Sequence, residues 1–174
     1  MQALLFILNA LFMLVVIAFL LRVLMPLVRA DFRNPFGEAV LKFTNPLVLP
    51  LRKVLPPGKR FDPSSLVALL IVQFTGTALL RGLAGGGFGP ESILLGGLYG
   101  LLHTVLQFYF FAVLLYALLS WFAGAAYNPA AQILGKLVEP LLAPIRRVVP
   151  PLGGLDLSAV FLLIALQALQ ILLR

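Results

Sequence analysis

The sequence predicts an all-α membrane protein: four transmembrane helices in two tandem, parallel-oriented hairpin repeats, each with a proline-rich amphipathic segment at the membrane surface. Three observations lead to this prediction, namely the composition, four long apolar stretches and an internal repeat. Of the 174 residues, 61% are hydrophobic and 11% are charged. This composition lies far outside the range of soluble domains with a polar surface, so most of the chain is expected to face lipid.

The four apolar stretches, taken in order, are residues 2–28, 63–81, 93–122 and 156–173. Each approaches or exceeds the roughly 17 to 25 residues that cross a hydrocarbon core as a helix. No basic residue precedes the first stretch, and its apolar run is too long for the core of a signal peptide, so we interpret it as a transmembrane helix. The chain has no cysteine, which excludes disulfides and thiolate metal sites within it.

Basic residues are distributed unevenly between the two predicted sides of the membrane. Ten of them fall between the first and second stretches or between the third and fourth: Arg29, Arg33, Lys42, Arg52, Lys53, Lys59, Arg60, Lys136, Arg146 and Arg147. Only Arg81 and Arg174 fall on the other side. The positive-inside tendency therefore predicts cytoplasmic loops at 29–62 and 123–156 and outward-facing termini in an inner (plasma) membrane. We interpret the net charge of +7 as a sign of topology, and nucleic acid is not an expected partner.

The internal repeat appears when the sequence is shifted by 94 residues without a gap. Residues 34–73 then lie on residues 128–167, with 14 of the 40 pairs identical, prolines and charges among them. The predicted units are 1–82 and 93–174, joined by a glycine-rich outer loop at 83–92. Because each unit holds two spans, both enter the membrane in the same orientation, related by an axis along the membrane normal.

The segments 35–57 and 129–151 are predicted to be bent amphipathic elements in the membrane interface. The same five residues mark each segment and the start of the following span: Pro46, Pro50, Pro56, Pro57 and Asp62 in the first unit, and Pro140, Pro144, Pro150, Pro151 and Asp156 in the second. The first proline suits the first position of a helix, and the second, four residues later, breaks the hydrogen-bond ladder. The proline pair then ends the element, and the aspartate caps the next span.

The stretch EPLLAPIRRVVPPLGGLDLS, Glu139 to Ser158, resembles the motif of the YggT family, called YlmG in some lineages. In that family a hydrophobic span, an EPLLxPIRR-like segment, a PPxGGLDLS-like turn and a second span ending near a glutamine form the repeat, and Gln167 matches this glutamine. The first unit departs from the motif, because Asn45 replaces the glutamate and residues 58–60 replace the LGG stretch. The resemblance implies links to osmotic and ion homeostasis, cell division or cytochrome haem maturation, and no enzymatic activity.

Five polar residues fall inside the predicted spans: Arg22, Gln73, His103, Gln107 and Gln167. Arg22 is predicted to extend its side chain to the interface. Gln73 and Gln167 have equivalent depths and are expected to bond between helices. His103, the only histidine, precedes Gln107 by one helical turn. We favour hydrogen-bonded packing for it over proton or ion handling and over haem ligation, for which it is a weak candidate that would require a partner chain.

The sequence indicates a protein that is not an enzyme, because it lacks a serine–histidine–acid set, a metal-ligand cluster and an inward-facing carboxylate pair. We favour a membrane scaffold or assembly factor in which Arg52, Lys53, Arg146 and Arg147 bind anionic headgroups or an acidic cytoplasmic partner. A small ion or solute channel, formed by re-entrant proline segments in an oligomer, is the alternative. A haem or cytochrome assembly factor is a second alternative.

Overall fold

The computed structural model describes residues 2–29, 34–58, 61–87, 89–122, 129–148 and 156–173, without the side chains of 120–122 and 129–131. Six helices lie within these described residues: α1 (Gln2–Leu27), α2 (Pro35–Arg52), α3 (Pro63–Leu83), α4 (Pro90–Phe122), α5 (Pro129–Arg146) and α6 (Ser158–Leu172). No strand occurs among the described residues. The predicted all-α class is confirmed.

Three helices are long and apolar enough to cross a membrane, over Gln2–Leu27, Pro63–Leu83 and Pro90–Leu119. α6 is equally apolar but has only 15 residues. At 1.5 Å per residue it rises about 22 Å, which is less than the roughly 30 Å of a hydrocarbon core. Large apolar side chains are exposed on the outer faces of these helices, including Phe6, Leu14, Leu79, Leu95 and Ile164.

α2 and α5 are amphipathic helices of 18 residues, each with two internal prolines. The prediction that Pro46 and Pro140 begin a helix is wrong. α2 begins at Pro35, where the Asn34 side chain accepts a hydrogen bond from the Gly37 amide at 2.8 Å, and α5 begins at Pro129. Asparagine before proline is a strong start signal, and both halves of the sequence carry it upstream of the internal prolines.

The spacing of the internal prolines explains why the helices continue through them. In α2, Lys42, Pro46 and Pro50 lie four residues apart and are all exposed. The carbonyls that lose their amide partners belong to Lys42 and Pro46, so both lie on the outer face, where water or headgroups can hydrogen-bond them. α5 has the same exposed series at Lys136, Pro140 and Pro144. Pro56 and Pro57 lie in exposed coil after α2, whereas Pro150 and Pro151 fall outside the described residues.

Packing divides the helices into two groups of three. α1, α2 and α3 contact one another, as do α4, α5 and α6, and the groups meet where α4 packs against α1 and α3. α2 buries Val40 and Val48 in the shared core, and α5 buries Leu137 and Leu142. Each amphipathic helix is therefore held against its own pair of apolar helices, with its proline face outward.

Candidate functional site

The carboxylate of Asp62 is the centre of a buried polar cluster at the start of α3, here called the first cluster: Arg22, Thr44, Asn45, Arg52, Asp62, Ser64 and Ser65. Asp62 is 7% exposed and is the N-cap of α3. Its Oδ2 accepts hydrogen bonds from Arg52 Nη2 at 2.5 Å and from Ser65 Oγ at 2.8 Å, and its Oδ1 accepts from Ser64 Oγ. The Arg52–Asp62 ion pair therefore joins the last residue of α2 to the first turn of α3.

These donors hold Asp62 in its charged form. Burial alone would raise the pKa of the carboxyl group, but the hydrogen bonds from Ser64, Arg52 and Ser65, together with the charge of Arg52, lower it to about 2. At neutral pH Asp62 is consequently an ionised structural acceptor and a poor proton donor or acceptor for catalysis.

Arg22 of α1 is also part of the first cluster. It is 2% exposed, and its Nε donates to Ser65 Oγ at 3.2 Å. Its Nη1 donates to Thr44 Oγ1 at 2.7 Å and to Asn45 Oδ1 at 2.8 Å. The prediction that Arg22 extends to the interface is wrong, because α2 and α3 bring neutral oxygen acceptors to its guanidinium and close the site. One side chain thus connects all three helices of the first group.

The second cluster consists of Tyr116, Glu139, Arg146, Asp156 and Ser158. Arg146 donates to Asp156 Oδ2 from Nε at 2.8 Å and lies 2.7 Å from it through Nη2. Its Nη1 donates to Glu139 Oε2 at 2.7 Å, and its Nη2 donates to Tyr116 Oη at 3.3 Å. Asp156 precedes the N-cap position Leu157 by one residue and accepts from the Ser158 amide at 3.0 Å. The ion pair joins the end of α5 to the start of α6.

The two clusters correspond to each other under the 94-residue shift, except that their charged residues differ at two positions. Arg52, Asp62 and Ser64 correspond to Arg146, Asp156 and Ser158, whereas Arg22 corresponds to Tyr116 and Asn45 to Glu139. The first cluster has two guanidiniums and one carboxylate, a formal charge of +1, and the second has one guanidinium and two carboxylates, a formal charge of −1. A buried cation in one group is thus replaced by a phenol and an added carboxylate in the other.

The four basic residues predicted to bind lipid or a partner have two different environments. Arg52 and Arg146 are half-buried in ion pairs within the protein. Lys53 and Arg147, the next residue in each case, are exposed. Sequence reasoning identified the aspartates only as helix caps and missed their pairing with the arginines. The recurrence of arginine and aspartate ten residues apart in both halves was the available signal.

The polar residues predicted inside the spans do not form one site. Gln73 is 1% exposed, and its Nε2 donates to Thr77 Oγ1 at 3.2 Å within α3 rather than to another helix. Gln167 is exposed on α6, so the two glutamines have different environments. His103 is half-buried beside Tyr99, with ring centroids 6.2 Å apart, and Gln107 is half-buried on the same helix.

No group of three or more potential metal ligands occurs within the part of the chain that the structure describes.

Comparisons with known proteins give a consistent result. The family model described as CCB3/YggT matches residues 1–83 and 95–174. An uncharacterized protein of Pseudomonas aeruginosa is 38% identical over 167 residues, which cover 95% of this chain and 83% of the relative. The uncharacterized protein YggT of Escherichia coli K12 is 35% identical over 170 residues, which cover 98% and 88%. No solved structure matches the chain.

Proposed function

The chain belongs to the CCB3/YggT family, and from that premise we propose that it is a four-span scaffold or assembly factor of the inner membrane. In this proposal α1, α3, α4 and the whole apolar stretch 156–173, which contains the shorter α6, cross the bilayer, while α2 and α5 lie on its cytoplasmic surface. The exposed cations Lys53 and Arg147 then face anionic headgroups or an acidic partner. The observation that carries the proposal is the pair of arginine–aspartate clusters, which fix each amphipathic helix at the start of an apolar one.

Connectivity supports placing both clusters on one side of the membrane. The first cluster lies where α1 ends and α3 begins, and the second lies where α4 ends and α6 begins. α3 and α4 pack against each other and are joined by residues 84–89, so α4 returns to the side where α3 started. Lys136 Nζ of α5 also lies 3.5 Å from the Arg29 carbonyl oxygen, next to the end of α1.

The form of the proline helices favours a surface position over the re-entrant segments of a channel. α2 and α5 are continuous helices, and the carbonyls released by their prolines lie on the exposed face. Such groups require water or headgroups in the bilayer environment. The carboxylates of Asp62 and Asp156 already pair with arginines, which argues against acid–base catalysis by them.

The topology is tested by labelling single cysteines, since the natural chain has none. Lys53→Cys and Arg147→Cys should react with a membrane-impermeant maleimide only in inverted vesicles. Gly87→Cys, at a position where an added Cβ meets nothing within 4 Å, should react only from the outside of intact cells. Labelling of positions 53 and 147 from opposite sides would disprove the arrangement.

The role of the exposed cations is tested by charge reversal. Lys53→Glu and Arg147→Glu should each weaken the preference of the purified protein for phosphatidylglycerol over phosphatidylcholine, because a cation near an anionic surface contributes about 1 kcal/mol. Arg81→Glu makes the same change of charge at the other end of α3 and serves as the control. An unchanged lipid preference in both Lys53→Glu and Arg147→Glu would reject lipid anchoring by these residues.

A further inference from the structure

An open groove of about 550 Å³ lies between the end of α1 and the outer face of α5. Val28 forms one wall, and the α5 residues Gln132, Gly135, Lys136, Glu139, Pro140 and Ala143 form the other. These α5 residues recur at the three- and four-residue spacing of a single helix face. The groove is therefore a continuous surface that begins beside the end of an apolar helix and carries both apolar and charged groups.

Two small residues, Gly135 and Ala143, are among those that line the groove. Gly135 and Ala143 correspond to Leu41 and Leu49 under the 94-residue shift. The Cβ that Gly135 lacks would be in ordinary contact with Tyr116, 3.4 Å away. Glycine and alanine at these two positions have seven side-chain carbons fewer than two leucines. α2, which carries leucine at both corresponding positions, therefore serves as the reference helix.

The groove presents one positive and one negative group one helical turn apart. The Lys136 ammonium has no carboxylate partner among the described residues and lies near the Arg29 carbonyl oxygen. Glu139 pairs with Arg146, but its side chain remains 52% exposed. Arg146 also neutralises Asp156, so the second cluster keeps one uncompensated negative charge at the wall of the groove.

We propose that this groove binds an aminophospholipid of the phosphatidylethanolamine type. Lys136 donates hydrogen bonds to the phosphate, and the primary ammonium of the headgroup donates to the Glu139 carboxylate. The glycerol and the upper acyl carbons lie along Val28, Pro140 and Ala143. Side chains at positions i and i+3 of a helix have Cβ atoms about 5–6 Å apart, a distance that a two-carbon ethanolamine bridge can match.

The chemistry of the groove distinguishes this lipid from two others. Phosphatidylcholine has the same phosphate, but its quaternary ammonium has no N–H to donate to Glu139. Phosphatidylglycerol has no cation and would leave the negative charge of the second cluster unbalanced. The proposal rests on the membrane location and cytoplasmic placement of α5 proposed above, but it requires neither Lys53 nor Arg147.

The test is native mass spectrometry of the purified full chain with equimolar phosphatidylethanolamine, phosphatidylcholine and phosphatidylglycerol of identical acyl chains. We expect phosphatidylethanolamine to be retained roughly tenfold over phosphatidylcholine, as one charge-assisted hydrogen bond predicts. Glu139→Gln should remove this preference, since the amide keeps the shape but not the charge. Lys136→Gln should weaken retention of both lipids and leave their ratio unchanged.

Filling the groove tests its shape. Ala143→Leu introduces the residue found at the corresponding position of α2 and should reduce retention of phosphatidylethanolamine severalfold. Ala165→Leu adds the same volume on the exposed face of α6 and should have no effect.

Equal retention of phosphatidylethanolamine and phosphatidylcholine by the natural protein would overturn the proposal without requiring any variant to fold. An unchanged ratio of phosphatidylethanolamine to phosphatidylcholine in Glu139→Gln would overturn it as well, whereas retention of phosphatidylglycerol reports on the exposed cations Lys53 and Arg147. Cysteine labelling tests the topology independently of lipid binding. A negative result for lipid binding in the groove therefore does not contradict the proposed scaffold, and a wrong topology is detected by the labelling itself.

Discussion

Replacing Asp62 by asparagine should destabilise the protein much more than the same change at Asp156. Asp62→Asn keeps the size of the side chain but leaves the guanidiniums of Arg22 and Arg52 without a carboxylate in the first cluster. After Asp156→Asn, Arg146 still pairs with Glu139. The difference in charge between the clusters therefore predicts unequal losses of stability for two corresponding substitutions.

The magnitude follows from the environment of each carboxylate. Lowering the pKa of Asp62 from 3.8 to about 2 corresponds to about 2 kcal/mol in favour of the charged form. Leaving buried cations unpaired adds to this cost, and removal of one partner from a buried ion pair typically costs 3–5 kcal/mol. We expect about 3–4 kcal/mol for Asp62→Asn. For Asp156→Asn, whose side chain is 24% exposed, we expect about 1–2 kcal/mol.

The assay is unfolding in mixed micelles with increasing SDS, followed by far-ultraviolet circular dichroism. Glu38→Gln, which changes an exposed carboxylate in the first turn of α2, is the control and should cost about 0.5 kcal/mol. Equal losses at positions 62 and 156, or a larger loss at 156, would refute the assignment of unbalanced positive charge to the first cluster.

Three further predictions concern the same helices. The pKa of the Asp62 carboxyl group is lowered in the folded protein, so its contribution to stability is complete above about pH 4 and is lost as the pH falls through about 2. In an acid titration, Asp62→Asn should therefore lack this part of the stability loss that the natural protein shows. Arg22→Met should cost about 1–3 kcal/mol in the SDS assay, because the oxygens of Thr44 and Asn45 lose a buried donor, and an unchanged stability would show that α2 is not held by this guanidinium. Gly76→Ala should cost about 1–3 kcal/mol in thermal unfolding, because the added Cβ would overlap the Phe12 ring. Gly87→Ala, whose Cβ would meet nothing within 4 Å, should be nearly neutral in the same assay.

The all-α class and the family could be predicted from the sequence because both depend on patterns that lie along the chain. Apolar stretches of sufficient length identify α1, α3 and α4. The motif around Glu139 identifies the family, which the comparisons confirm. The proline-rich segments were correctly recognised as amphipathic, but their internal prolines were read as helix starts. Sequence periodicity does not show that the carbonyls released by these prolines share an exposed face.

The clusters were harder to predict because their members come from three helices. Arg22 looks like an interfacial residue when only α1 is considered, since nothing in α1 indicates that Thr44, Asn45 and Ser65 will surround it. The 94-residue shift contained a usable signal. It placed Tyr116 opposite Arg22 and Glu139 opposite Asn45, so both positions carry a polar group in both halves.

The opposite formal charges of the two clusters mean that the halves of this chain are not interchangeable. A chimera with two copies of the N-terminal half would carry two surplus cations beside its membrane-facing helices, and one with two C-terminal halves would carry two surplus anions. Either exchange would change the summed formal charge of the two clusters from zero to +2 or −2, and a buried charge without a partner is costly.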